Sequence, residues 1–254
     1  MTAGGGKRSR SEATCTILEW RGFTTATAGR VLSFHTSHTE VEAELLREAL
    51  GPGATVLEAG CGRTSRLRGH RDRIERLVGV DLDEPGGRTN EFVDEFVVAD
   101  LCGTLPFADG TFDLVYSNFV VEHLERPGAA FAEWRRVLRP GGSVVVVTSN
   151  RSNPLMAGAR ILPQGLRTAV KGRGPGAEAR DVFPARYRAN TPAALTGQLT
   201  QAGFEPVRVV PVATLHRYAG ERQAVAALLR GFERALPQRL RSTIVAWYRR
   251  DAAN

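Results

Sequence analysis

Thr55-Val56-Leu57-Glu58-Ala59-Gly60-Cys61-Gly62 decides the fold of this chain. The apolar run from Thr55 to Ala59, bounded by glycine, predicts a central strand of a parallel sheet. Glycines at 60 and 62 let backbone N–H groups approach a ligand that a Cβ would hold away. Taken alone, such a turn fits tight packing as well as it fits a bound nucleotide. The residues downstream decide between the two. Four more apolar runs follow at residues 77–81, 95–99, 112–117 and 143–148, separated by segments long enough for helices. That alternation predicts a doubly wound parallel α/β sheet. Ligands of such sheets bind beyond the carboxyl ends of the strands, where this chain places Glu58, Asp81, Asp100, Ser117 and Asn118.

Asp81 falls about twenty residues past the glycine turn, where a carboxylate can accept hydrogen bonds from both hydroxyls of a ribose. Dinucleotide enzymes and S-adenosylmethionine enzymes both put an acid there, so Asp81 argues for a nucleoside without naming it. The glycine spacing goes further. A dinucleotide fingerprint calls for glycine or alanine three residues after Gly62, and here Ser65 follows Arg63 and Thr64. A pyrophosphate cradle is disfavoured.

From residue 40 to 150 the chain resembles the class I S-adenosylmethionine-dependent methyltransferases, especially their small-molecule group. The resemblance rests on LEAGCG at 57–62, VGVDLD at 78–83, VVADLCGTLPFADGTFDLVYSNFVVEHL at 97–124 and EWRRVLRPGGSVVVVTSN at 133–150. It implies a Rossmann-like sheet of seven strands, mostly parallel with an antiparallel last strand, and S-adenosyl-L-methionine as cofactor. By the same resemblance, Glu58 helps hold the cofactor's amino acid end, and Gly60, Cys61 and Gly62 pass under its methionine portion. Asp81, with Leu82 beside it, binds ribose, and Asp100 reaches the adenine amino group while Leu101 adds a backbone contact. Asn118 lines the methyl-transfer centre. Thr64 stands where the family often has a third glycine, which crowds the turn and bears on affinity.

A single Asp at a strand end is commonly a helix cap, and a single His more often packs or caps than catalyses. Glu122 and His123 are expected at the start of the helix after strand four. Leu138-Arg139-Pro140-Gly141-Gly142 reads as a structural turn in which proline stops the preceding helix and the glycines open strand five. The candidate proton acceptors are His35 and His38 ahead of the first helix, His123 after strand four and Tyr187 further on. Thr39 is read as the cap of the first helix.

Composition sets the outer bounds. With 254 residues of which 42% are hydrophobic, the chain can bury one sizeable core with a small lid. Cysteines at 15, 61 and 102 form no paired framework and no zinc spacing, which fits a reducing cytoplasm. Cys61, beside the cofactor turn, reads as an oxidation target. No apolar run approaches the roughly twenty residues of a membrane span. Residues 1–14 read as a disordered basic tail, and 15–254 as the methyltransferase domain.

A net charge of +7 raises nucleic acid as a partner. The motifs argue against it. Enzymes acting on exocyclic base amines typically carry an Asn/Asp-Pro-Pro-aromatic turn after strand four, where this chain has Ser117-Asn118-Phe119-Val120. The cysteine signature of pyrimidine carbon methyltransferases is also missing. Positive charge gathers instead in residues 150–190, expected to form a lid over the methyl donor. Its arginines and its apolar Leu155, Met156, Ile161 and Leu162 suit an anionic or lipid-linked acceptor, and equally a solvated surface loop. Thr191 is expected to cap a helix that opens on Pro192.

Residues 204–212 read as strand six. Residues 222–236 are amphipathic at helical spacing. Residues 242–248 read as strand seven, with a basic helix on a membrane surface as the rival. The expected function is a cytoplasmic S-adenosylmethionine-dependent transfer of methyl to a small or lipid-linked metabolite, at oxygen, by in-line displacement. An RNA methyltransferase and a non-catalytic, adenosyl-binding protein at a membrane surface are the alternatives.

Overall fold

The computed structural model describes residues 37–158 and 184–252, all within one unit that runs from Phe34 to Asn254. The tail at 1–14, His35, Cys15 and most of the expected lid lie outside the described residues.

Seven strands form one sheet: β1 (Ala54–Ala59), β2 (Ile74–Asp81), β3 (Glu95–Val98), β4 (Phe112–Asn118), β5 (Leu138–Ser149), β6 (Phe204–Val212) and β7 (Thr243–Arg250). Their order is β3-β2-β1-β4-β5-β7-β6. Neighbours from β3 to β5 pair in parallel, and β7 runs antiparallel to both β5 and β6. The expected antiparallel strand is therefore present, and it lies between β5 and β6. It is Thr243–Tyr248 of β7, buried at every position, that makes this segment a sheet interior and excludes a surface helix there.

Among the described residues, the helices that accompany the sheet are α1 (His38–Ala49), α2 (Glu84–Gly87), α3 (Pro127–Val137), α4 (Pro154–Gly158), α5 (Pro192–Gln201) and α6 (Gln223–Ala235). α1 packs on β5 and β7, while α3 and α5 pack together near β5 and β6. Val41, Leu45 and Leu46 bury one face of α1. The cap of α1 is Ser37 rather than Thr39: the Ser37 hydroxyl accepts from Thr39 N and Glu40 accepts from Ser37 N, a closed capping box. Thr191 caps α5 as expected, its hydroxyl accepting from Ala194 N at 3.0 Å.

Both ends of α3 differ from the sequence reading. α3 starts at Pro127, so Glu122 and His123 sit on the preceding turn. α3 ends at Val137, and Pro140 lies within β5, where the ladder shifts register between Phe112 and Leu114 of the neighbouring strand. Proline tolerates such an irregularity because the position lacks a ladder donor anyway. Trp134, Phe131, Phe112, Phe204 and Tyr248 fill the core between the sheet and these helices.

Candidate active site

The carboxyl ends of β1 to β4 meet at one edge of the sheet. β1 runs into Gly60, with φ +80°, whose N–H donates to the Val80 carbonyl at 2.7 Å. A Cβ at Gly60 would lie 2.2 Å from Val120 Cγ2, so the turn packs directly against the chain after β4 here. Gly62, at φ +50°, faces open space. Its N–H donates to Asp81 Oδ2 at 2.9 Å. Asn90, which the sequence reading missed, is buried and donates from one amide nitrogen to the carbonyls of Cys61 and Gly62 at 3.1 and 3.2 Å. Nothing in the local pattern around Asn90 distinguishes it from a loop asparagine.

Cys61 Sγ packs over Gly79, and burial, then the charges of Asp81 and Glu58, push its thiol up to about 12. That corrects the expectation of an oxidation-prone thiol, because a buried thiol held in its protonated form is a poor nucleophile. Asp81 also accepts from Asp83 N through Oδ1, and Leu82 between them is exposed. Asp100 Oδ1 accepts from Cys102 N at 2.8 Å, and Leu101 is buried.

Glu58 is buried at the end of β1, and desolvation pushes its carboxyl up to about 8 against the opposing hydrogen bonds of the Ser65 hydroxyl and the Arg66 N–H. Ser65 also caps the short helical turn at Arg66–Arg73. Glu42 of α1 lies close by, its carboxyl raised by burial, and accepts from the Tyr116 hydroxyl of β4. Glu58 Oε2, Glu42 Oε2, Ser117 Oγ and Asn118 Oδ1 are buried without a hydrogen-bond partner. A cavity of about 100 Å³ between α1 and the Arg66–Arg73 turn is lined by Thr39, Glu42, Ala43, Leu46, Arg66 and His70. Glu42 and Tyr116 carried no signal in the sequence, since they meet across 74 residues.

Past β4, Phe119 takes a left-handed φ of +54° and sets its ring edge-on to His38, with centroids 6.2 Å apart. His38 is buried, and desolvation followed by the charges of Arg217, Arg66 and His216 lowers it to about 4. It is a neutral imidazole at pH 7. Glu122 accepts from the Thr148 and Ser149 hydroxyls at 2.7 and 2.9 Å, and its carbonyl takes the N–H groups of Arg186 and Tyr187 at 2.6 and 2.9 Å. Tyr187, also at φ +54°, is thereby fixed beside the end of β5. His123 closes the same turn, its N–H donating to Val120 O at 2.8 Å. Arg217 Nη1 lies 2.9 Å from His38 Nε2, which sets the Leu215–Ala219 turn beside His38. Among the described residues, no group of three His, Cys, Asp or Glu side chains is placed to hold a metal ion.

Residues 57–146 match a family described as a methyltransferase domain. A malonyl-[acyl-carrier protein] O-methyltransferase of Pseudescherichia vulneris is 36% identical over 131 residues, covering 48% of this chain and 52% of that protein. A demethylmenaquinone methyltransferase of Renibacterium salmoninarum is 33% identical over 108 residues, covering 40% of this chain and 45% of the relative. The chain thus spans about half the length of the curated relatives it matches. Among solved structures, an S-adenosylmethionine-dependent methyltransferase from Mesorhizobium loti superposes with a TM-score of 0.54 at 19% identity, over 86% of this chain and 100% of that one. A geranyl diphosphate methyltransferase in complex with geranyl diphosphate and sinefungin gives 0.57 at 21% identity, over 83% and 78%.

Proposed function

We propose, from the premise that this chain is a class I S-adenosylmethionine-dependent methyltransferase with its family domain at residues 57–146, that it methylates a small or lipid-linked metabolite at oxygen. The observation that carries the reading is the set of buried oxygens without partners, Glu58 Oε2 and Asn118 Oδ1, beside a glycine turn open beyond Gly62. Buried acceptors of that kind call for donors from a ligand. S-adenosylmethionine fits them: Glu58 would take its ammonium, Gly60, Cys61 and Gly62 its methionine portion, Asp81 and Leu82 its ribose, and Asp100 and Leu101 its adenine. Bound there, it supplies an already activated sulfonium methyl.

The chain's own task is then alignment and exclusion of water. Asn118 and Phe119 line the end of β4, where the acceptor must sit. His38, lowered to about 4, holds a proton weakly at pH 7, so it serves a neutral hydroxyl poorly as a base. An acceptor that arrives already anionic suits this site better, and the cation of Arg217 beside His38 favours one. Tyr187 and His123 remain the other groups on the rim able to move a proton. The acceptor class draws support from relatives named for a malonyl-[acyl-carrier protein] and for demethylmenaquinone.

The test is incubation of the protein with cell extract and donor labelled in its methyl group. We expect label in an organic-soluble or carrier-linked product. Label in RNA instead, or none while S-adenosylhomocysteine still binds by calorimetry, overturns the reading.

A further inference from the structure

α6 turns a carboxylate inward and leaves part of its apolar face exposed, with Leu229 and Phe232 half-buried and Val225 and Leu228 in the open. Glu233 is buried, and its two carboxylate oxygens accept from Leu215 N at 2.8 Å and Ser242 N at 3.0 Å, which clamps the helix to the start of β7. Val225, Leu228, Leu229 and Phe232 follow the i, i+3, i+4, i+7 spacing of one helical face. Leu228 is nevertheless 73% exposed and Val225 42%. Tyr218, in the turn just ahead of α6, is 57% exposed. A helix anchored by an inward carboxylate with Leu228 and Val225 left in water offers an apolar edge that a further surface can cover.

The charge around the strip says which surface. Arg222, Arg230 and Arg239 are exposed around α6, against the exposed acid Glu221. Arginine stems lie along apolar surface while their guanidinium groups reach outward, which suits a layer of anionic headgroups over an apolar interior. A second copy of the chain would set arginine against arginine. Three exposed apolar side chains also fall well short of the ~800 Å² per partner that a stable protein interface buries. The strip is continuous with the active-site rim, because the Leu215–Ala219 turn that leads into α6 carries Arg217 against His38.

We infer that α6 is an interfacial helix that seats the mouth of the active site on an anionic lipid surface. Leu228 and Val225 enter the acyl boundary, and the flanking arginines neutralise headgroups. The inference concerns where the enzyme works and stands independently of which atom it methylates.

The experiment is co-sedimentation of the full chain with vesicles of phosphatidylcholine alone and of phosphatidylcholine mixed with phosphatidylglycerol. Binding is expected to the mixed vesicles only and to fall in high salt. Leu228→Glu is expected to weaken it about tenfold, and Arg222→Gln or Arg230→Gln roughly fivefold each. S-adenosylhomocysteine binding should be unchanged in all three variants, which reports an intact fold and separates this outcome from failure of the methyltransferase reading. Failure of the wild type to bind mixed vesicles, or equal binding by Leu228→Glu, overturns the inference. So does a wild-type dimer in sedimentation that Leu228→Glu dissolves, since the strip would then belong to a second copy.

Discussion

The side-chain amide of Asn90 reaches back 29 residues to hold the carbonyl of Cys61, and shares that hold with the carbonyl of Gly62. One amide nitrogen thus ties the orientation of both peptide planes. Asn90→Ala should leave these buried acceptors unmet, at a cost of about 1–3 kcal/mol. Urea denaturation is expected to show that loss, with a matching drop in S-adenosylhomocysteine affinity. Unaltered affinity would mean that the turn keeps its shape without Asn90.

Glu58 is pushed up to about 8, so in the free protein it holds a proton at neutral pH. A carboxyl raised above its unfolded value of 4.5 favours the fold below that value, and the benefit is lost as pH rises through about 8. A ligand ammonium reverses the preference by stabilising the carboxylate. Binding of S-adenosylhomocysteine should therefore release a proton between pH ~5 and ~8. Calorimetry in two buffers of different ionisation enthalpy reads that proton directly, and Glu58→Gln should abolish the buffer dependence.

Gly60 touches the chain after β4 so closely that an added methyl would sit 2.2 Å from Val120 Cγ2. Gly60→Ala also pays for φ +80°. Together these should destabilise the protein by roughly 2–4 kcal/mol. Adding Val120→Ala should recover the part due to the clash and leave the part due to backbone strain. A double-mutant cycle in thermal denaturation separates the two, and a purely additive cycle would mean that the turn and Val120 move apart freely.

His38 and Arg217 meet across 179 residues, with Arg217 Nη1 at 2.9 Å from Nε2. A histidine lowered from 6.5 to about 4 supports the fold above its unfolded value, and that support is lost as pH falls toward 4. Arg217→Gln should raise the titration midpoint of His38 in proton NMR while leaving it below 6.5, since burial is the larger cause. A midpoint that stays near 4 would assign the whole effect to burial.

Much of this fold was legible in the sequence because its signals are local. Apolar runs of strand length separated by helix-length segments predict parallel strands, and β1 to β5 lie on those runs, as β6 and β7 lie on the two later segments read as strands. The glycine turn after β1 was equally plain, since positive φ leaves a trace in residue type. Boundaries failed where two local rules competed. Pro140 suggested a stop between helix and strand, yet β5 begins before it because Leu138 pairs with Phe112.

What the sequence by itself determined was the order of the elements along the chain, the glycine turn after β1 and the acids at the ends of strands one to three. Tertiary structure alone decided that β7 slots between β5 and β6, that Glu42 meets Tyr116 beside Glu58, and that Arg217 stands against His38. The physical reason is common to all three. A period of two or 3.6 residues records which face of an element is buried, whereas a contact spanning tens to hundreds of residues has no period, and its cost or benefit exists only once the sheet has brought the partners together.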